Sequence, residues 1–293
     1  MATLASTYLL LNGNLHTQTS TIFNIRNRAL AFGDCVIETI HTCADRLCFF
    51  DKHLQHLREG MEMAMMKIPP KFYNREREFS TEISKLITKN RIFYGSLVTI
   101  MVFRSSYTQL STQPDTIEYV VYCEPLPELG YTLNERGLRL GLIDAMPFTA
   151  SPMSNYCTHD YSVQRIVLHK KCLKANLDEA IITNASGHIV ETAGSGNIFF
   201  IKEDTLITPP LIDGCKDDVI RRIILDTVAP QLGLKTICDK SMHISDIKHI
   251  DEVFTASTRQ GIRWVAAYKS QRYMRAKTTV ILNKLTKLYE AQQ

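Results

Sequence analysis

The pattern of apolar residues switches repeatedly between short alternating runs and longer stretches with helical spacing. The switching is interrupted once, at Cys123-Glu124-Pro125-Leu126-Pro127-Glu128-Leu129-Gly130. Period-2 runs bury one face of a strand, and 3.6-period runs bury one stripe of a helix. Thr7–Leu11 and Leu15 read as a hairpin around Asn12-Gly13, and Ala29–Ile40 as loop then strand. A further strand follows at 47–50, and Leu54, Leu57, Met61 and Met65 give helical spacing over 52–67. The Met61, Met63, Met65, Met66 stripe reads as core filling. A second amphipathic helix covers 72–90, and strands are predicted at 97–104 and 116–122. Beyond the Pro-containing break come a strand at 138–144 and a helix over 161–176, with Val163, Ile166, Val167 and Leu173 on one side. Short strands follow at 179–183, 188–191 and 197–202, then a helix at 218–232 and strands at 236–239 and 251–257. The pattern predicts an α/β chain with a mixed sheet in each of two lobes. Its expected bounds are an N-terminal α/β domain over 1–122, a linker over 123–131 and a C-terminal α/β domain over 132–293.

Composition narrows the class. Apolar residues make up 45% and charged residues 22%, which excludes disorder, collagen-like repeats and a coiled coil for the whole. No run approaches the roughly 18–20 apolar residues of a membrane span. The N-terminus shows neither a basic n-region nor an h-region, so the expectation is a cytoplasmic protein with no membrane partner. The net charge of +4 is spread out and leaves no nucleic-acid footprint. The eight cysteines include no Cys-x-x-Cys, and His53-Leu-Gln-His56 lacks an acidic or thiol neighbour at ligand spacing. Reduced thiols and no metal site are therefore expected. The sequon at Asn184 carries no weight without secretion.

Four blocks then fall in order. The first is Arg28-Ala29-Leu30-Ala31-Phe32-Gly33-Asp34-Cys35-Val36-Ile37-Glu38-Thr39-Ile40 with His53-Leu54-Gln55-His56-Leu57. The second is Asp178-Glu179-Ala180 with Gly187-His188-Ile189-Val190-Glu191-Thr192-Ala193-Gly194-Ser195-Gly196-Asn197-Ile198-Phe199. The third runs from Leu206-Ile207-Thr208-Pro209-Pro210-Leu211 to Val219-Ile220-Arg221-Arg222, and the fourth is Asp251-Glu252-Val253-Phe254-Thr255-Ala256-Ser257-Thr258. Together they resemble the class IV aminotransferases, the fold-type-IV pyridoxal-phosphate (PLP) enzymes. That family includes branched-chain and D-amino-acid aminotransferases and aminodeoxychorismate lyase. The resemblance covers nearly the whole chain. It implies a two-domain D-amino-acid aminotransferase-like fold, PLP between the domains and a homodimer.

Checked one by one, the anchors implied by the resemblance depart from the family pattern. PLP chemistry needs a lysine amine. The family places it about 21 residues before the glutamate of the Glu-Ala pair, which here points from Glu179 back to Thr158. There is no lysine between Asn90 and His169. Lys170, Lys171 and Lys174 lie 12 to 16 residues on, roughly 18–24 Å along a helix. Lys216, on another loop, is the remaining candidate donor. The phosphate-binding Gly-Ile-Thr-like turn reads Asp218-Val219-Ile220, and its acid can equally be read as an N-cap. His56 stands where the family has a phosphate-pairing arginine. Glu191 matches the pyridine-nitrogen partner and Ser257-Thr258 the phosphate hydroxyl pair.

The expectation that follows is a class IV aminotransferase-like protein that does not use PLP. It would bind a small carboxylate-bearing molecule in the inter-domain cleft and carry out a cofactor-free, lyase-like acid–base reaction. His159, Glu191 and Thr158 are its candidate catalytic residues. Arg28, Tyr156, Asp160, His56, Asp218, Ser257, Thr258 and Arg259 are its candidate substrate-binding residues. His159 reads as well as a turn or helix cap, Arg28 and Arg259 as surface ion pairs, and Cys157 shows no sign of activation. Two alternatives stand beside this reading: a conventional PLP-dependent aminotransferase or aminodeoxychorismate lyase, and a non-catalytic dimeric pseudoenzyme.

Overall fold

Asn12 and Gly13, at φ 52° and 84°, turn the first strand back on itself. Asparagine and glycine tolerate this left-handed region. The structure, a computed structural model, describes residues 7–19, 26–105, 116–127, 130–143, 147–156, 162–194 and 196–291, with the side chains of 162–164 left aside. The chain divides into two compact units between Gly130 and Tyr131, and residues from Tyr289 onward group with the first.

In the first unit β1 (Tyr8–Leu11) and β2 (Asn14–Thr17) form the hairpin. After them come α1 (Arg28–Phe32), β3 (Cys35–Cys43), β4 (Arg46–Leu47), α2 (Phe50–Met63), α3 (Glu76–Lys89), β5 (Gly95–Arg104) and β6 (Ile117–Leu126). The sheet order is β2-β1-β6-β5-β3-β4, all antiparallel. The loop expected before the first long strand is the short helix α1, because Asn27 caps its start and Gly33 ends it in the left-handed region. The expected linker begins four residues late: β6 runs through Cys123–Leu126, pairing Pro125 with Ser96. Proline is tolerated there because β1 pairs β6 only at Val120 and Val121, leaving that stretch as an edge.

One sheet face packs on both long helices. Leu54, Leu57 and Met61 of α2 and Phe79, Ile83 and Leu86 of α3 meet Val36, Ile40, Val98, Ile100 and Val121. Full burial of each such side chain is worth about 1.5–3 kcal/mol. The methionine stripe divides: Met61 and Met66 are buried, whereas Met63 and Met65 are exposed.

The second unit contains β7 (Leu138–Leu142), α4 (Ser162–Lys174), β8 (Glu179–Thr183), β9 (Ile189–Thr192), β10 (Asn197–Lys202) and β11 (Thr205–Ile207). It continues with α5 (Val219–Ile223), α6 (Ala229–Gln231), β12 (Lys235–Ile237), β13 (Glu252–Ser257), β14 (Gly261–Tyr268), β15 (Gln271–Arg272) and α7 (Ala276–Glu290), of which Tyr289 and Glu290 group with the first unit. A π segment, Ile224–Val228, joins α5 to α6. The mixed sheet runs β12-β11-β10-β13-β14-β7-β8-β9, with β15 beside β14. On α4 the apolar side predicted from Ile166, Val167 and Leu173 is exposed; Leu168 and Cys172, one turn apart, are buried instead. The C-terminal helix, unannounced in the sequence pattern, is anchored by buried Glu252. Its carboxylate accepts from the amides of Lys277 (2.8 Å) and Thr278 (2.7 Å) and from the Thr278 hydroxyl (2.7 Å). Gly261, at φ 65°, turns β13 into β14 where a Cβ would come within 2.4 Å of the Tyr131 ring. That ring's hydroxyl donates to the carbonyl of Thr258 at 2.7 Å, fixing the Ser257-Thr258 turn. Among the described residues no helix is long and apolar enough to cross a membrane.

Candidate functional site

β9 carries Glu191 into the interior of the second unit, where its residue exposure is 0%. A carboxylate without water needs a charged or hydrogen-bonding partner. α4 supplies one: Arg165 donates from Nε to Oε1 at 2.7 Å and from Nη2 to the same oxygen. The other oxygen, Oε2, meets the backbone N–H of Lys216 at 3.4 Å, long for a hydrogen bond. One side of the carboxylate is therefore clamped, and the other retains accepting capacity beside the backbone of Lys216.

Two residues on, Asp218 caps α5. Its Oδ1 accepts from the amide of Ile220 (3.1 Å) and from the hydroxyl of Thr258 (2.9 Å). Asp217 pairs with Arg222 at 2.8 Å and with the buried Arg221 at 3.5 Å. Arg221 also donates to the carbonyl of Pro209 at 3.1 Å. Ser257 Oγ accepts from the amide of Gln260 at 3.2 Å, and Arg259 is exposed on that turn. Burial pushes the Cys215 thiol up to about 12 and the Cys172 thiol up to about 11. Both are thiols at neutral pH and make poor nucleophiles.

In the first unit the two expected ligand-binding residues are committed elsewhere. Arg28 is buried, with Nε 2.6 Å from Asp34 Oδ2. His56 is 4% exposed and directs Nδ1 to Glu38 Oε2 at 2.6 Å, while His53 Nδ1 meets Oε1 of the same carboxylate at 2.6 Å. Burial pushes Glu38 upward, but the charges and hydrogen bonds of His56 and His53 outweigh it and hold the carboxyl at about 2. Arg28 as a surface ion pair is corrected to a buried one, and His56 to one arm of a buried His–Glu–His cluster.

Thr158, His159 and Asp160, with Cys157, lie outside the described residues. Tyr156 follows the short turn Pro152–Asn155 and is partly buried. The structure thus brings together Glu191, the Lys216 backbone, Asp218 and Thr258. Sequence reasoning missed Arg165, which lies 26 residues from Glu191 with no local spacing to tie them, and left Asp34 in the first block without a role beside Arg28. Glu38 stood in the first block without a role; two histidines one helical turn from each other on α2 were the available signal.

These observations define a two-unit α/β protein with a clamped, buried carboxylate facing a lysine-bearing loop. The chain belongs to the family described as Amino-transferase class IV, whose model matches residues 35–268. It is 23% identical over 229 residues to branched-chain-amino-acid aminotransferase-like protein 2 of Arabidopsis thaliana, covering 77% of this chain but only 39% of that relative. It is 18% identical to an aminodeoxychorismate lyase of Vibrio harveyi, covering 80% of this chain and 83% of the relative. Among solved structures, the branched-chain aminotransferase of Thermoproteus uzoniensis with norvaline superimposes with a TM-score of 0.85 at 20% identity, over 97% of this chain and 95% of that one. The Thermobaculum terrenum branched-chain aminotransferase in its PLP holo-form gives a TM-score of 0.80 at 16% identity, over 98% and 95%. The expected two-domain fold-type-IV architecture is therefore shown. The expectation of no cofactor is corrected, because solved relatives carry PLP and point to PLP rather than to none.

The residues of the second unit fit that group at one end. Glu191 Oε2 can accept from a protonated ring nitrogen, and Lys216 provides a primary amine on the adjoining loop. At the phosphate end, the amide of Ile220 and the hydroxyl of Thr258 are suitable donors, both turned at present to Asp218.

Proposed function

We propose that this chain binds PLP and carries out aminotransferase- or lyase-type chemistry on a small amino compound bearing a carboxylate. The observation that supports this reading is the asymmetry at Glu191: one oxygen clamped by Arg165, the other beside Lys216. PLP, when bound, supplies an electron-withdrawing ring that stabilises negative charge on the carbon next to the substrate nitrogen. Glu191 holds the ring nitrogen's proton at Oε2. Arg165 keeps that oxygen aimed, since its two N–H groups occupy Oε1 and remove the carboxylate's rotational freedom. Lys216, whose backbone lies beside Oε2, would supply the primary amine that holds the cofactor's aldehyde and a base for the proton on the substrate carbon. Arg259 is the candidate for the substrate's carboxylate, as a guanidinium pairs with it bidentately.

The test is reductive trapping. After PLP is added and borohydride follows, peptide mapping is expected to place the pyridoxyl group on Lys216, and Lys216→Met to abolish it. Labelling no stronger than that of surface lysines would remove Lys216 from the role. Retained label in Lys216→Met would do the same.

A second expectation concerns Asp218. Its carboxylate competes with a dianionic phosphate for the Thr258 hydroxyl and the Ile220 amide. Asp218→Asn keeps the cap but removes the charge, so PLP should bind about tenfold more tightly, a gain of about 1.4 kcal/mol. Fluorescence titration of the two proteins with PLP measures this; weaker binding by the variant would contradict it.

A further inference from the structure

β3 and β4 form a tight hairpin whose turn is Ala44-Asp45, with Ala44 at φ 55°. His41 and Cys43 are two residues apart on β3, so their side chains leave the same face. Across the hairpin Thr42 faces Leu47 and Cys43 faces Arg46. The amide of Cys48 then donates to the carbonyl of His41 at 3.0 Å, which sets Cys48 opposite His41 on that same face. The result is an imidazole and two thiols whose ligand atoms all lie within 4.8 Å of one another. The two sulfurs are 3.5 Å apart, too far for a disulfide and within hydrogen-bond reach. All three residues are buried, His41 at 1% exposure, Cys43 at 4% and Cys48 at 1%. The ring of Tyr289 stands edge-on to His41 at 5.8 Å and to Phe49 at 4.9 Å, so aromatic rings wall the group.

We infer that His41, Cys43 and Cys48 form a binding site for a divalent, thiophilic metal ion, zinc by its chemistry. A tetrahedral zinc centre with Zn–S of about 2.3 Å and Zn–N of about 2.0 Å spaces its ligands about 3.5–3.8 Å apart. The 3.5 Å between sulfurs already approaches that edge, and the 4.8 Å limit leaves about 1 Å of closure for the imidazole. Charge favours a divalent ion over a monovalent one. Two thiolates and a neutral imidazole around Zn²⁺ give a neutral centre, and a buried neutral centre avoids the desolvation penalty of a net charge. On binding, each thiol gives its proton to solvent and each sulfur donates an electron pair to the metal, with no change of oxidation state. A fourth position would remain for a water or another donor, as in sites with three protein ligands.

The experiment uses the full-length reduced protein under anaerobic conditions, titrated with zinc and, separately, with cobalt(II) as a spectroscopic stand-in. One zinc per chain should survive gel filtration, and cobalt should give a thiolate-to-metal charge-transfer band. Cys48→Ser should weaken binding by about 10- to 100-fold. Cys238→Ser, at an exposed thiol outside the hairpin, should leave it unchanged. Folded wild-type protein that retains no zinc and shows no cobalt band would overturn the assignment. So would a band that persists in the Cys43→Ser, Cys48→Ser double variant. Loss of two thiols to dilute peroxide without metal uptake would assign the pair to disulfide formation instead. Because the wild-type titration decides first, a variant that fails to fold does not spare the inference.

Discussion

Arg165→Met should lower the stability of the protein by about 3–5 kcal/mol, because it strands a carboxylate that has no access to water. Glu191 is 0% exposed, and two Arg165 N–H groups serve its Oε1. The Arg165 guanidinium also lies over the Phe148 ring, its Cζ 6.0 Å from the centroid, so methionine, which is of similar length, removes the cation from both the carboxylate and the ring. The wild-type pair itself is not worth that much. Replacing both partners, in Arg165→Met with Glu191→Gln, should recover most of the loss, since a neutral amide is far cheaper to bury than an unpaired charge. Urea denaturation of the wild type, both single variants and the double variant closes the thermodynamic cycle. A single-variant loss below about 1 kcal/mol would mean that water or another cation reaches Glu191, contrary to the geometry. The same variant bears on function: with the clamp gone, Oε2 is no longer aimed, and PLP binding should weaken along with stability.

The Glu38 cluster makes its prediction through pH. Burial raises the carboxyl's pKa, the facing His56 and His53 lower it more, and the net value is about 2 against an ordinary 4.5. A folded pKa below the unfolded one means that the unfolded chain takes up the proton first as pH falls. The stabilisation is thus fully present above about pH 4.5 and is lost as pH drops toward about 2. At about 1.4 kcal/mol per unit it amounts to about 3 kcal/mol. Glu38→Gln should remove that contribution and flatten the stability profile between about pH 4.5 and 2. Denaturation midpoints at a series of pH values give the comparison. A variant whose profile keeps the wild-type slope in that window would show that other carboxylates carry the acid sensitivity.

Much of the architecture was legible before any coordinates. Asn12-Gly13, the Leu54, Leu57, Met61 spacing and the short apolar runs of the second half each became the predicted element, because turn chemistry and period are local properties. The failures are equally local in origin. The apolar residues of α4 formed a plausible stripe, yet Leu168 and Cys172 were buried and Ile166 and Leu173 were not. A helix with apolar residues on several sides does not itself say which side meets the sheet. Pro125 read as a strand breaker, and only its position on an edge left unpaired by β1 made it admissible.

The ordered blocks, down to Glu191 and Ser257-Thr258, were enough to assign the family, since order and spacing along a chain survive without coordinates. Partnerships were another matter. Arg165 with Glu191, Asp218 with Thr258, and Cys48 opposite His41 join residues 7 to 40 positions apart. Such pairs are chosen by sheet register and by which helix face is buried. Those choices minimise the exposed apolar area and the unpaired polar groups of a whole unit, so no segment contains them alone.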